Sequence, residues 1–237
     1  MIRYVLLIIF SLIFSQNSYA EFTFVQTKEV DDDTPGIRGI NFKPDGTRMY
    51  ITNRYDDQKA YMIEYSLSTP FDISTATISF SGGSPKGTPL TCDAEGVDQM
   101  ELPHAIEFKP DGTRMFITSN QNFSGNPDVA VYQFKLTTPW DSTTLVCEKI
   151  YEVDVNGSGA AEDQVRTLDF KPDGTRMFVG GSRQDKIRQY DLATPFDLRS
   201  GVTPGGISDS LASADGEMRN IQFNSDGTQL FLSLIHI

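Results

Sequence analysis

The chain has 237 residues, with 20 basic against 32 acidic side chains and a formal net charge of −12. This acidity argues against a nucleic-acid partner, because binding a phosphate backbone requires basic patches. Two cysteines, Cys92 and Cys147, permit one disulfide if the chain is exported. The alternative is two unpaired thiols, which an oxidising compartment disfavours.

Residues 1–20 are predicted to be a secretory signal peptide. Arg3 provides the positive start, an apolar run follows from Tyr4 to Phe14, and Ser18 and Ala20 are the small residues at a cleavage site. The run is too short to span a bilayer, which takes about 20 residues. The alternative is an uncleaved anchor. We expect cleavage after Ala20, a secreted or periplasmic mature chain of residues 21–237, and no transmembrane segment after cleavage.

Residues 22–31 are predicted to form a strand. Their segment 27–31 (Thr-Lys-Glu-Val-Asp) is similar to 150–154 (Ile-Tyr-Glu-Val-Asp), which ends a strand further along the chain. This strand therefore corresponds to the last strand of a repeated unit.

A repeated octapeptide organises the rest of the sequence. Phe-Lys-Pro-Asp-Gly-Thr-Arg-Met occupies 42–49 and recurs at 108–115 and 170–177, with a weaker copy at 223–230. Pro-Asp-Gly is typical of a tight turn, because proline fixes φ, aspartate caps the backbone and glycine takes the left-handed position. Each copy therefore predicts a hairpin of two strands, A and B.

Each repeat unit contains two further strands, C and D. In the first unit, strands A to D are predicted at 37–42, 48–53, 60–67 and about 76–81. A second repeated turn joins C to D, at 68–72, 137–141 and 193–197. The D strand of the second unit is predicted at 144–154. That of the third unit has a poor signal, because Thr203 to Ser210 is rich in Gly, Pro and Ser.

Four antiparallel strands in each unit, without helical periodicity, predict an all-β fold, a β-propeller of four-stranded antiparallel blades. We expect about three complete blades and part of a fourth, and residues 22–31 as a D-type strand that closes the ring. The predicted blades are 37–82, 103–154, 165–212 and, in part, 218–234. The fourth copy has strands A and B only, and residues 234–237 do not fit the register of the other copies. We therefore expect the sequence to be truncated at its C-terminus, and the alternative is a small four-bladed protein that lacks closure.

The hairpin repeat resembles the repeats of YVTN-type and WD-type propellers, over about residues 22–232. The Trp-Asp pair that ends strand C in WD-type blades is missing there, and Trp140-Asp141 lies in the following turn instead, which favours the YVTN-like comparison. The resemblance implies the fold and leaves function open, because such propellers include lactonases, surface-layer proteins and binding scaffolds.

The two repeated turns are predicted to be structural, and the loops at the opposite edge to be variable. Phe71, Trp140 and Phe196 are expected to pack against the neighbouring blade, and the alternative is a ring of aromatics that binds sugar. The variable loops are 82–102 and 119–128. The first holds three acidic residues that offer calcium ligands or a merely solvated acidic loop: Asp93, Glu95 and Asp98. No other cofactor and no metal site is predicted.

One position carries the ligand hypothesis. Four residues before each repeated phenylalanine stand Arg38, His104, Arg166 and Arg219. Since strand A is innermost in a blade, these side chains are expected near the channel mouth, where a ring of cations would hold an anionic ligand. In the alternative, each braces a carbonyl or carboxylate of the next blade, such as Glu107 or Asp169.

These patterns favour an exported binding or surface-interaction scaffold for a small anionic ligand or a protein partner. The alternative is a lactonase-like hydrolase, with His104, Glu107 and Arg166 as base, orienting group and oxyanion clamp. The other histidine, His236, lies in the C-terminal tail, so a histidine-rich metal site is not predicted. We favour a protein without enzymatic activity.

Overall fold

The computed structural model describes residues 36–54, 59–79, 87–92, 96, 100–120, 129–153, 165–181, 186–208 and 217–235. The predicted signal peptide, the N-terminal strand 22–31 and His236 lie outside the described residues. In the described part of the chain, no helix is long and apolar enough to cross a membrane.

Fifteen strands form four antiparallel sheets within the described residues. The first sheet holds β1 (Ile37–Phe42), β2 (Arg48–Arg54), β3 (Ala60–Leu67), β4 (Ala76–Ile78) and β5 (Thr88–Pro89). The second holds β6 (Pro103–Phe108), β7 (Arg114–Asn120), β8 (Val129–Leu136) and β9 (Leu145–Glu152). The third holds β10 (Val165–Phe170), β11 (Arg176–Gly181), β12 (Ile187–Thr194) and β13 (Asp197–Ile207). The fourth holds β14 (Glu217–Phe223) and β15 (Leu230–Ile235).

The sheets are the blades of a β-propeller. In the first three sheets the strands follow the order A, B, C, D, so that strand A is one edge of the sheet, and the described part of the fourth sheet holds strands A and B. The A strands of consecutive blades pack against one another, β1 on β6, β6 on β10 and β10 on β14. They therefore form the inner wall of the propeller, and the fold class predicted from the repeats is confirmed.

Strands A and C of blade one have the predicted bounds, and strand D is divided. The short β4 pairs with the end of β3, whereas β5 pairs with Tyr61 and Met62 near its start. The D strand of blade three, for which the sequence signal is poor, is the 11-residue strand β13. Two register shifts accommodate its irregular sequence, and Pro204 is tolerated because β13 is the outer edge of the sheet.

The end of the described chain also differs from prediction. Leu234 and Ile235 pair with Met218 and Glu217 in the hairpin of β14 and β15. They therefore continue strand B of blade four, although the corresponding positions of the other blades are polar. The expectation that they do not fit the register was wrong.

Apolar side chains fill the spaces between blades. Tyr50 and Met62 of blade one pack with Met115 and Tyr132 of blade two, all essentially inaccessible to solvent. The connection between the blades joins this core through three buried residues, Leu90, Cys92 and Met100. Cys92 forms a disulfide with Cys147 of β9, with 5.0 Å between their Cα atoms. The described part of the predicted variable loop 82–102 is thus scaffold.

The repeated C–D turn folds back onto the Pro-Asp-Gly turn of its own blade. Trp140 has a left-handed φ of 65°, and its N–H donates to the carbonyl of Gly112 at 3.1 Å. The indole lies against Gly112, whose φ is 71° and whose site has no space for a Cβ. Phe71 and Phe196 repeat this arrangement in their blades. The aromatic ring therefore requires the glycine of the turn.

The same turn docks on the preceding blade. The Trp140 carbonyl accepts hydrogen bonds from Arg48 at 2.7 Å and from the Tyr50 hydroxyl at 2.6 Å. In the next pair of blades, Arg114 donates to the Phe196 carbonyl at 3.0 Å. We call these hydrogen bonds the inter-blade turn contact. Phe196 is only 7% exposed, so it does not provide an open platform for stacking a sugar.

Candidate functional site

Each A strand carries a β-bulge near its start. The register of the A–B hairpin shifts between Ile37 and Gly39 in blade one, and at the equivalent place in the other three described blades. The residues at these four shifts are the ones singled out in the sequence: Arg38, His104, Arg166 and Arg219. A bulge takes one residue out of the hydrogen-bonded ladder and changes the direction of its side chain. The backbone at this position therefore differs from that of the rest of strand A.

Threonine hydroxyls stabilise the bulges. The N–H of Gly39 donates to Thr52 Oγ1 at 2.9 Å, and the N–H of Ala105 donates to Thr118 Oγ1 at the same distance. In blade three the threonine lies on strand A instead of strand B, and Thr167 Oγ1 donates to the carbonyl of Gly180 at 3.3 Å. A backbone group that the bulge removes from the ladder thus gains a partner, which buried polar groups require.

Three of the bulge residues meet in one cavity of about 210 Å³ between the A strands. Arg38, Arg166 and Arg219 line it together with Glu107. Apart from the polar Asn220, the remaining wall is apolar or small: Gly39, Ile40, Ala105, Ile106 and Leu168. Three arginines that line a cavity of this size bring positive charge to it, which suits a small anion.

The cations influence one another. Burial, followed by the charges of Arg54, Arg166 and Arg219, lowers the pKa of Arg38 from its ordinary value. Burial, followed by the charges of Arg38, Arg166 and Arg219, lowers the pKa of His104 to about 3. His104 is therefore neutral at pH 7, and the predicted ring of four cations contains three charges from the bulge residues. Arg54, at the end of β2, is a cation that the sequence hypothesis did not include.

Two A strands carry a carboxyl group directly before the repeated phenylalanine, Glu107 in blade two and Asp169 in blade three. Burial, followed by the negative charge of Asp169, raises the pKa of Glu107 to about 8, although hydrogen bonds from Asn41 and from the backbone at Phe108 oppose this shift. Burial also raises the pKa of Asp169. At neutral pH the Glu107 carboxyl therefore carries a proton and can donate it in a hydrogen bond.

The residues before each phenylalanine brace neighbouring A strands. Asn41 Nδ2 donates to the carbonyl of Ile106 at 3.0 Å, and the N–H of Phe223 donates to Asp169 Oδ2 at 2.5 Å. Both hydrogen bonds join one blade to the next. The sequence alternative assigned bracing to the bulge residues, whereas Asn41 and Asp169 make these two hydrogen bonds from a different position of the repeat.

Two other sets of site residues were predicted from the sequence, a hydrolase trio and a group of calcium ligands. Of the hydrolase trio, Glu107 and Arg166 line the cavity. His104 is electrostatically coupled to the arginines but is not among the lining residues of the described chain. The possible calcium ligands Asp93, Glu95 and Asp98 lie outside the described residues. Within the described part, no group of three or more His, Cys, Asp or Glu side chains could hold a metal ion.

Comparison with known proteins supports the fold. No family model and no curated protein matches the chain. Its structure is similar to a candidate 6-phosphogluconolactonase from Bacteroides fragilis (TM-score 0.54, 13% identity, 88% of this chain and 52% of that one). It is also similar to the periplasmic gluconolactonase PpgL of Pseudomonas aeruginosa (TM-score 0.53, 13% identity, 90% and 53%). The Cps50 β-propeller domain of Myceliophteria thermophila matches at a TM-score of 0.45, with 10% identity, over 84% of this chain and 50% of that domain. The chain thus spans about half the length of these structures, and the likeness concerns the fold alone.

Proposed function

We propose that this chain is part of an exported β-propeller that binds a small anionic ligand at the mouth of its channel. The observation that carries the proposal is the cavity lined by Arg38, Arg166 and Arg219. The chain as a whole has a net charge of −12. A local group of cations in an acidic protein needs an explanation, since mutual repulsion of the guanidinium groups is a cost to folding that a bound anion offsets.

The bulge supports a binding role. A residue that only stabilises a sheet gains from staying in the ladder, whereas these side chains are turned out of it in every described blade. Bulges are frequent next to active sites for this reason. The cavity is smaller than the roughly 300–1,000 Å³ of pockets for drug-sized ligands, which favours a small anion.

Equilibrium dialysis with radiolabelled sulfate tests the proposal at pH 7 and constant ionic strength. We expect saturable binding of one sulfate per chain, and a loss of roughly ten- to hundredfold in affinity in Arg219→Gln, since one charge-assisted hydrogen bond is worth about 1.5–3 kcal/mol. Lys135→Gln is the matched control, because it removes one positive charge from an exposed position on β8, in the third strand of its blade. Absence of binding, or equal losses in the two variants, contradicts the proposal.

Export belongs to the same proposal and has its own test. The full chain is expressed in a bacterial host, and the periplasmic or secreted fraction is analysed by intact-mass and N-terminal sequencing. The predicted product begins at Glu21. A protein that retains residues 1–20 and stays membrane-bound contradicts cleavage and favours the anchor.

A second candidate function is hydrolysis of a lactone. It is favoured because Glu107, a carboxyl that carries a proton, lines the same cavity as Arg166. Glu107 would act as the general acid and Arg166 as the oxyanion clamp. A pKa of about 3 makes His104 a poor general base at neutral pH. Hydrolysis of gluconolactone yields an acid and so releases a proton. The rate of proton release, measured for the wild type and for Glu107→Gln, tests this second candidate function. A rate above background that Glu107→Gln abolishes supports the hydrolase, and no rate leaves the binding function.

A further inference from the structure

Glu107 lies in the wall of the anion cavity and has an environment unlike that of a surface carboxylate. It shares the wall with Arg38, Arg166 and Arg219, and with the apolar side chains of Ile106 and Leu168. Asn41 Nδ2 lies 3.3 Å from its Oε2. Glu107 is therefore part of the wall beside which a ligand of the three arginines would bind.

The charge state of this carboxyl decides what it does to an anion. An ionised Glu107 repels an anion at close range, whereas a protonated one offers an O–H donor. Burial and the neighbouring Asp169 raise its pKa to about 8, so that the donor form predominates at pH 7. Anion binding and proton binding at this residue then reinforce each other, as linked equilibria must.

We propose that protonated Glu107 donates a hydrogen bond to the anion held by Arg38, Arg166 and Arg219, so that the ligand is an oxyanion and its binding requires one proton. This inference rests on the proposed function. It restricts the ligand to anions whose separate oxygens accept from guanidinium groups and from a carboxyl at once. Sulfate, phosphate, phosphate monoesters and compact dicarboxylates have this property, and a halide does not.

Other groups near Glu107 must be separated from it in any pH experiment. Asp169 faces it and has a raised pKa, so it is the main rival. His104 titrates near pH 3. Arg38, Arg166 and Arg219 line the cavity, and the charge of Arg54 acts on Arg38. Guanidinium groups in general do not lose their proton near neutral pH. Between pH 6 and 9 the two carboxyls are therefore the groups to test.

The experiment measures sulfate affinity by equilibrium dialysis of the full chain at pH 6.5, 7, 8 and 9, at constant ionic strength. Sulfate stays doubly charged over this range, so any pH dependence belongs to the protein. If binding requires the proton of a group with a pKa of about 8, the dissociation constant rises about tenfold between pH 7 and 9. In Glu107→Gln the amide keeps a donor and cannot ionise. We therefore expect the affinity of this variant for sulfate to be independent of pH between 6.5 and 9.

Two comparisons complete the design. Asp169→Asn retains an oxygen for the N–H of Phe223 and removes the negative charge that raises the pKa of Glu107. It should therefore shift the pH dependence of sulfate binding to lower pH without abolishing it. Excess chloride should not displace sulfate beyond the effect of ionic strength. The inference is overturned if sulfate binds with an affinity independent of pH, if Glu107→Gln keeps the pH dependence, or if Asp169→Asn abolishes it. In each of these outcomes the proposed function survives. Absence of sulfate binding at every pH to a folded chain overturns both.

Discussion

Replacing Arg114 by methionine tests the inter-blade turn contact most directly. Arg114 lies on β7 and makes three hydrogen bonds of 3.0 Å, to Glu148 of its own blade and to the Phe196 carbonyl and Asp197 of blade three. Its side chain is 17% exposed, and the two carboxylates are 10% and 12% exposed. Methionine keeps the apolar stem and loses all three hydrogen bonds.

The expected cost of Arg114→Met is about 3 kcal/mol in the free energy of unfolding. Removing one partner of a buried ion pair costs about 3–5 kcal/mol, because a charge is left unpaired. The low end applies here, since Arg199 still pairs with Glu148 and Asp197 at 2.9 Å. With about 2–4 °C for each kcal/mol in a chain of this size, the thermal midpoint falls by roughly 9 °C.

Arg176→Met is the matched control. Arg176 occupies the same position of the repeat in blade three, and it pairs with Asp191 at 2.9 Å, but the two side chains are 49% and 48% exposed. An exposed pair of this kind is worth about 0–1 kcal/mol. Urea and thermal unfolding of the three proteins measure the difference. Equal shifts for the two variants, or a shift below about 1 kcal/mol for Arg114→Met, would refute the view that this contact holds the blades together.

Three further predictions concern the bulge, the disulfide and the buried carboxyl. Thr118→Val should lower the free energy of unfolding by about 1–3 kcal/mol, because the N–H of Ala105 loses its acceptor, whereas Thr118→Ser should cost less; urea unfolding compares them. Replacing Cys92 and Cys147 by serine opens a loop of 55 residues and should cost up to about 4 kcal/mol, and addition of a reductant to the wild type should have a similar effect on the thermal midpoint. The pKa of Glu107 is raised in the folded state, so its protonated carboxyl contributes to the free energy of unfolding fully below the unfolded pKa of about 4.5, and this contribution is lost as pH rises through about 8. Glu107→Gln should therefore gain stability relative to the wild type as pH rises from 5 to 9. A difference in the free energy of unfolding that stays constant over this range would contradict the prediction.

The repeat made most of the fold predictable. Strands A and C of blade one were placed at 37–42 and 60–67 from alternation and from the Pro-Asp-Gly turn alone, and the structure has the same bounds. Strand D was harder to place. It is the outer edge of the blade, packs on fewer neighbours and tolerates the irregular composition of β13, so its sequence carries little periodic signal.

The sequence predicted the positions of the arginines in the candidate site, but not the protonation states of the groups around them. The recurring offset from phenylalanine identified Arg38, Arg166 and Arg219, because a position that repeats in sequence repeats in space. That His104 is neutral and Glu107 protonated depends on burial and on charges contributed by other blades. These are long-range properties of the packed structure, and a pattern within one repeat does not contain them.

The bulge in strand A has a consequence for how such a protein can change. A residue in the ladder must suit its partners across the sheet, whereas a bulge residue is exempt from pairing, and the described blades indeed carry arginine three times and histidine once at this position. The residues at this position are therefore not constrained by a partner in the ladder: Arg38, His104, Arg166 and Arg219. Substitutions here, in nature or in a saturation library, can change the charge of the inner wall of the propeller without disturbing the pairing of strands A and B.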